Sequence, residues 1–155
     1  MSNKTGLQNG VKRLGKYPIT EVFEYMDASP GNGVKVRFYG HLMYIRSTRL
    51  LNFRVHGITC VKCGSRGVFF AKERHGKDAP HLNLYAFNKR GNPILMTQDH
   101  IRPKAKGGTN NLYNLQPMCS DCNRNKGDEW KIGDKWKYLI RRLKDFFVKT
   151  NRSMV

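Results

Sequence analysis

Long hydrophobic runs are missing from this sequence. No stretch approaches the ~20 apolar residues that a membrane-crossing helix requires, which argues against a helical membrane protein. The opening MSNKTGLQNGVKRLGK holds no apolar block of the kind a secretory signal needs, so an intracellular, cytoplasmic location is expected. Cysteine is limited to four residues, and each belongs to a Cys-x-x-Cys pair. That pattern suits thiolate ligands in a reducing compartment better than a disulfide-stapled secreted domain. Acids are scarce as well: 11 Asp and Glu stand against 29 Lys and Arg. Internal repeats and low-complexity tracts are lacking, and 155 residues are too few for two full-sized domains.

What is present is a basic body. The formal net charge is +18, and the segments 1–59, 60–98, 99–128 and 129–155 are each net positive. A single basic tail would suggest a tether, whereas a charge spread over the whole chain suggests a surface laid along a polyanion. Nucleic acid is therefore the expected partner, ahead of an anionic membrane. Charge alone names no activity, since a structural RNA-binding protein would carry the same excess.

Local patterns divide the chain into four parts. Residues 1–16 are polar and basic and read as a flexible arm. Residues 17–58 read as an N-terminal β/α segment: strand-like ITEVFEYM (19–26) and VKVRFY (34–39) flank the turn formers of 27–33, which predicts a hairpin. A short helix over 47–57 follows, with Ser47 or Thr48 as cap and Gly57 as stop. In the third part, 59–128, three strands are expected at 67–73, 81–87 and 93–100, then a basic glycine loop over 102–111, a short strand near Leu115 and a helix from Ser120 or Asp121. The last part, 129–155, is a basic amphipathic helix. Trp136, Leu139, Ile140, Leu143, Phe146 and Phe147 recur at helical spacing, and core packing is the expected use of that stripe.

The cysteines form Cys60-x-x-Cys63 and Cys119-x-x-Cys122. Each turn brings two sulfurs to one side of a tight loop, and two such turns supply the four thiolates of a tetrahedral Zn²⁺ site. With every position filled by thiolate, such a site is structural. The intervening strands would return the chain to its starting point.

Residues 99–128 read DHIRPKAKGGTNNLYNLQPMCSDCNRNKGD. The succession Asp-His-Ile-x-Pro, Gly-Gly, Asn-Leu-Gln, Cys-x-x-Cys-Asn and Lys-Gly-Asp resembles the HNH (His-Me finger) endonucleases. More narrowly, it is similar to the zinc-bearing members common in tailed phages, from about Val34 through Asp128. The resemblance implies an α+β protein: a small ββα-metal finger with a four-cysteine structural zinc site, an N-terminal β-rich segment and a C-terminal amphipathic helix. It implies that His100 is the general base, that Asp99 and Asn123 hold a catalytic Mg²⁺ or Mn²⁺, and that Asn114 braces the loop between the two strands. An Asn at 123 fills the third position of the family motif, where His also occurs. A neutral imidazole can take a proton from water near neutral pH. Only one carboxylate stands in the cluster, which disfavours a two-metal site. Asn110 and Asn111 read as turn residues. Arg102, Lys104, Lys106, Arg124 and Lys126 are expected on phosphates rather than bases.

The expected activity is hydrolysis of DNA phosphodiester bonds, by nicking or by cutting both strands, from a monomer or homodimer; RNA stays open as a substrate. The alternative is a zinc-containing DNA- or RNA-binding protein without cleavage. The phage likeness implies action inside a host cell.

Overall fold

The computed structural model describes residues 10–152, with side chains described through Val148. The elements are α+β in kind. Strand β1 (Val11–Tyr17), helix α1 (Ile19–Ala28), the hairpin β2 (Val36–Phe38) and β3 (His41–Met43), and helix α2 (Thr48–His56) come first. Strands β4 (Gly67–His75), β5 (His81–Phe87), β6 (Pro93–His100) and β7 (Leu115–Cys119) follow, then helices α3 (Ser120–Lys126) and α4 (Ile132–Arg152). Five strands form one antiparallel sheet in the order β1-β4-β5-β6-β7, while β2 and β3 pair with each other. Pro117 is tolerated because β7 lies at the sheet edge, where one side of the strand needs no ladder donor.

Two N-terminal expectations are corrected. Residues 11–16 do not form an arm: they belong to β1, which runs antiparallel to β4. The fixing contact is ionic. Arg13 donates through Nε and Nη2 to Glu73 Oε1 at 2.9 and 2.6 Å, and Asn83 and Tyr85 donate to Oε2, so a buried carboxylate has donors on both oxygens. The remainder of that arm, residues 1–9, lies outside the described residues. ITEVFEYM is helix rather than strand. Pro18 stands at the N-cap, where its fixed φ and missing N–H cost little. Val22 and Met26, four residues apart, bury against the sheet. The helical face therefore outweighs the β-leaning composition. The predicted hairpin between 19–26 and 34–39 accordingly does not form; the hairpin present is β2–β3.

Helix α2 follows its sequence signals. Ser47 Oγ accepts from Leu50 N, and Gly57 ends the helix at φ 88°. Phe53, Leu50, Phe38, Phe70, Leu84 and Met96 meet in the core between helices and sheet. Each such side chain contributes about 1.5–3 kcal/mol on burial. Helix α4 departs from expectation: apart from Tyr138, the large apolar side chains described on it are exposed rather than packed in the core.

Candidate functional site

The chain leaves α2 and enters the first Cys-x-x-Cys turn. Cys60 N donates to Ser65 O at 2.9 Å and Gly64 N to Cys60 O at 3.0 Å, which closes the turn. Val61 N donates to Pro117 O at 3.1 Å, so this turn is fastened to β7 just before the second cysteine pair. The four sulfurs lie within 4.8 Å of one another, with Cys63 and Cys119 Sγ at 3.8 Å. Sulfurs about 2.3 Å from a tetrahedral zinc are about 3.8 Å apart. The donor set and its spacing thus fit a metal ion, zinc first. A hydrogen bond with Ser65 lowers the Cys63 thiol to about 6, whereas burial raises those of Cys119 and Cys122.

Strands β6 and β7 pair from Met96–Cys119 to His100–Leu115, and α3 starts where β7 ends. This strand–strand–helix unit assembles the residues singled out in the sequence. Asp99, His100 and Asn123 line one shallow cavity of about 240 Å³, together with Lys104 and Asp128. Asp128 is an addition to the expected set. The Lys-Gly-Asp end of the motif is the available signal, and Gly127, at φ 53°, turns the chain after α3 and carries Asp128 to the cavity.

Asp99 is buried. Its Oδ2 accepts from Gln116 Nε2 at 2.7 Å and its Oδ1 from Lys126 Nζ at 3.0 Å. Each carboxylate oxygen has a further lone pair after these bonds. Asn123 has its orientation dictated by neighbours. The one proton of the Thr97 hydroxyl goes to Met118 O at 2.8 Å, so Thr97 Oγ1 can only accept from Asn123. Gln98 O, 3.5 Å away, can only accept as well. The Asn123 nitrogen serves both, and its amide oxygen is the atom left for a cation. A carboxylate and an amide oxygen form a hard donor set, which fits Mg²⁺ or Mn²⁺ rather than a thiophilic metal.

His100 Nε2 stands 2.8 Å from Asn110 Oδ1. With the amide oxygen facing the ring, Nε2 carries the proton of the neutral imidazole and Nδ1 keeps a lone pair. The sequence alone marks Asn110 only as a turn residue. Asn114 is fully buried and does not touch the cavity. Its Oδ1 accepts from Arg102 N at 2.8 Å, its Nδ2 donates to Thr109 O and Arg102 O, and its backbone oxygen accepts from Ile101 N. It thereby pins both ends of the loop joining β6 to β7.

The basic residues divide. Lys104 and Lys106 are exposed on a single 3-10 turn. The Arg102 guanidinium lies over the Trp130 ring, 5.1 Å from its centre, and Arg124 is exposed beside Asp121. Lys126 departs from the expected phosphate contact: it is 8% exposed, and its ammonium is taken by Asp99 and by His100 O at 2.7 Å. A lysine turned inward over a carboxylate has no reach toward a backbone outside.

Residues 88–129 match the family model for HNH endonuclease. No curated protein and no solved structure matches the chain. The matched segment runs from the turn after β5 to just beyond α3 and contains the whole cavity-lining set. It supports a nuclease acting on nucleic acid. Among the described residues, no helix is long and apolar enough to cross a membrane.

Proposed function

We propose that this protein is a metal-dependent HNH endonuclease that hydrolyses DNA phosphodiester bonds. The observation that carries the reading is the convergence of Asp99, His100 and the oriented Asn123 on one cavity inside the matched segment. Asp99 Oδ1 or Oδ2 and Asn123 Oδ1 would hold a Mg²⁺ or Mn²⁺ ion. Such an ion, when bound, neutralises charge on the scissile phosphate and on the departing 3′ oxygen.

The chain supplies the remainder. His100 Nδ1 takes the proton of the attacking water, while Asn110 holds Nε2 and so fixes ring and tautomer. Asn114 keeps the loop that carries Asn110 in register with β6. Lys104, which lines the cavity, and Lys106 contact phosphates of the backbone, with Arg102 and Arg124 beside them, and carry little base readout. Cys60, Cys63, Cys119 and Cys122 hold a closed structural zinc, which makes residues 59–128 a zinc-clamped ββα-metal core of the tailed-phage type. One site cuts one strand, so a double-strand break needs a dimer or two encounters. The protein acts inside a cell.

A second reading, a zinc-held binding protein without cleavage, draws on the Lys126 ammonium that already neutralises Asp99. Supercoiled plasmid separates the two. The nuclease nicks it with Mg²⁺ or Mn²⁺, stops in excess EDTA, and loses about 10²–10⁴-fold in rate as His100→Ala. Equal nicking by the variant, or none by the wild type with either ion, leaves the binding protein.

A further inference from the structure

Helix α4 is docked by its polar side. Lys137 Nζ donates to Gln116 Oε1 at 2.6 Å, and Arg141 Nη1 donates to Leu115 O at 2.7 Å. Tyr138, 4% exposed, sits between them against the rings of Tyr113 and Trp130. Asp134 and Asp145 fall on this same side by helical spacing. The opposite side carries Ile132, Trp136, Leu139, Ile140, Leu143 and Phe147, all between 47% and 73% exposed. An amphipathic helix ordinarily turns its apolar stripe to the core. Here polar bonds hold the helix and leave the stripe outward. A contiguous exposed apolar patch of this kind marks an interaction surface.

The spacing and the flanks describe what covers it. Positions 132, 136, 139, 143 and 146 alternate by four and three, an average of 3.5 residues. That is the period of a seam that stays facing another helix along its length. Lys135 and Arg142 border the stripe on one side and Lys144 on the other, and no acid stands in either flank. In a second copy the flanking groups would again be cations, so pairing in either direction offers no opposite charge. An acidic helix offers one at every flanking position.

We propose that the exposed face of α4 is a docking seam for an acidic amphipathic helix of another protein. The seam is separate from the cavity around Asp99 and His100, so binding rather than cleavage tests it. The probe is a fluorescein-labelled four-heptad peptide with leucine along its seam and glutamate on both flanks, titrated with the full chain and read by anisotropy. Saturable binding is expected. It should weaken at least tenfold for Leu139→Gln/Leu143→Gln, which leaves net charge unchanged, and at least tenfold when the peptide's glutamates become lysines. Both leucines are exposed, so the double variant should keep the wild-type circular dichroism melt. Arg142→Glu supplies an independent arm: it should weaken the acidic peptide and strengthen the lysine one. No binding, or equal binding by the double variant, overturns the proposal. So does leucine-dependent dimerisation of the free chain in sedimentation, which makes a second copy the occupant. Leucine-dependent pelleting with phosphatidylglycerol vesicles without peptide binding makes the occupant a lipid surface and overturns it equally.

Discussion

The ammonium of Lys126 stands 3.0 Å from Asp99 Oδ1, with the two side chains 7% and 4% exposed. The pair ties the end of α3 to the end of β6, and Gln116 completes the carboxylate's donors from β7. Breaking a buried pair at one end strands the other charge. Lys126→Met should therefore cost about 3 kcal/mol of stability, measured by urea unfolding without added divalent metal. A loss below about 1 kcal/mol would show that the carboxylate does not depend on this partner.

Gly108 is expected to tolerate no side chain. A Cβ there would stand 1.8 Å from Arg102 O and 2.9 Å from Pro103 O, both backbone atoms of the same loop. Neither can yield without moving the chain that Asn114 pins. Gly108→Ala should reduce plasmid nicking at least tenfold, a ~1.4 kcal/mol rise in barrier, by displacing Asn110 from His100. Wild-type nicking by this variant would show that the loop does not position the histidine.

Zinc retention should depend on pH in one direction. Thiolates bind the metal and protons compete for them, so affinity falls as pH falls. Bound zinc, measured against a colorimetric chelator, should be about one per chain at neutral pH and should leave as the solution is taken to mildly acidic pH. Cys119→Ser should lose both the metal and the cooperative unfolding of the sheet edge. A well-folded, metal-free Cys119→Ser protein would sink the clamp reading.

Two histidines away from the cavity should contribute acid sensitivity of their own. Burial lowers His56 and His81 from the ordinary 6.5, although His56 Nε2 bonds to Leu112 O at 2.8 Å. Each takes up protons less readily folded than unfolded. Stability is thus fully present above pH 6.5 and declines as pH falls through the depressed folded values. Thermal melts of His56→Gln and His81→Gln should show a shallower decline below that pH than wild type. Parallel profiles would assign the acid sensitivity elsewhere.

What the sequence revealed depended on whether a local pattern had one physical meaning. Strands β4, β5 and β6 alternate or are bounded by turn formers, and all three stand where expected. Ser47 and Gly57 bracket α2 because capping is decided within a few residues. The paired cysteines needed only spacing. Other features were decided at long range. Val11–Tyr17 has no strong strand pattern of its own and becomes a strand because Glu73, far along the chain, requires Arg13. Ile19–Ala28 has β-leaning composition, but Val22 and Met26 find the core only as a helix. Lys126 reads as a surface cation until β6 brings Asp99 to it. The stripe of α4 is legible as amphipathic, but no local rule states which side will face the body.

Gln116 gives the last of these a mechanical meaning. Its amide is polar end to end: the nitrogen donates to Asp99 and the oxygen accepts from Lys137 of α4. Turning the amide over would set donor against donor and acceptor against acceptor, so the group has one orientation while both neighbours remain. Helix and carboxylate are thereby coupled through a single rigid plane. A load on α4 that withdraws Lys137 removes one of the two bonds that fix that plane, and the side chain that donates to Asp99 is then held at one end only.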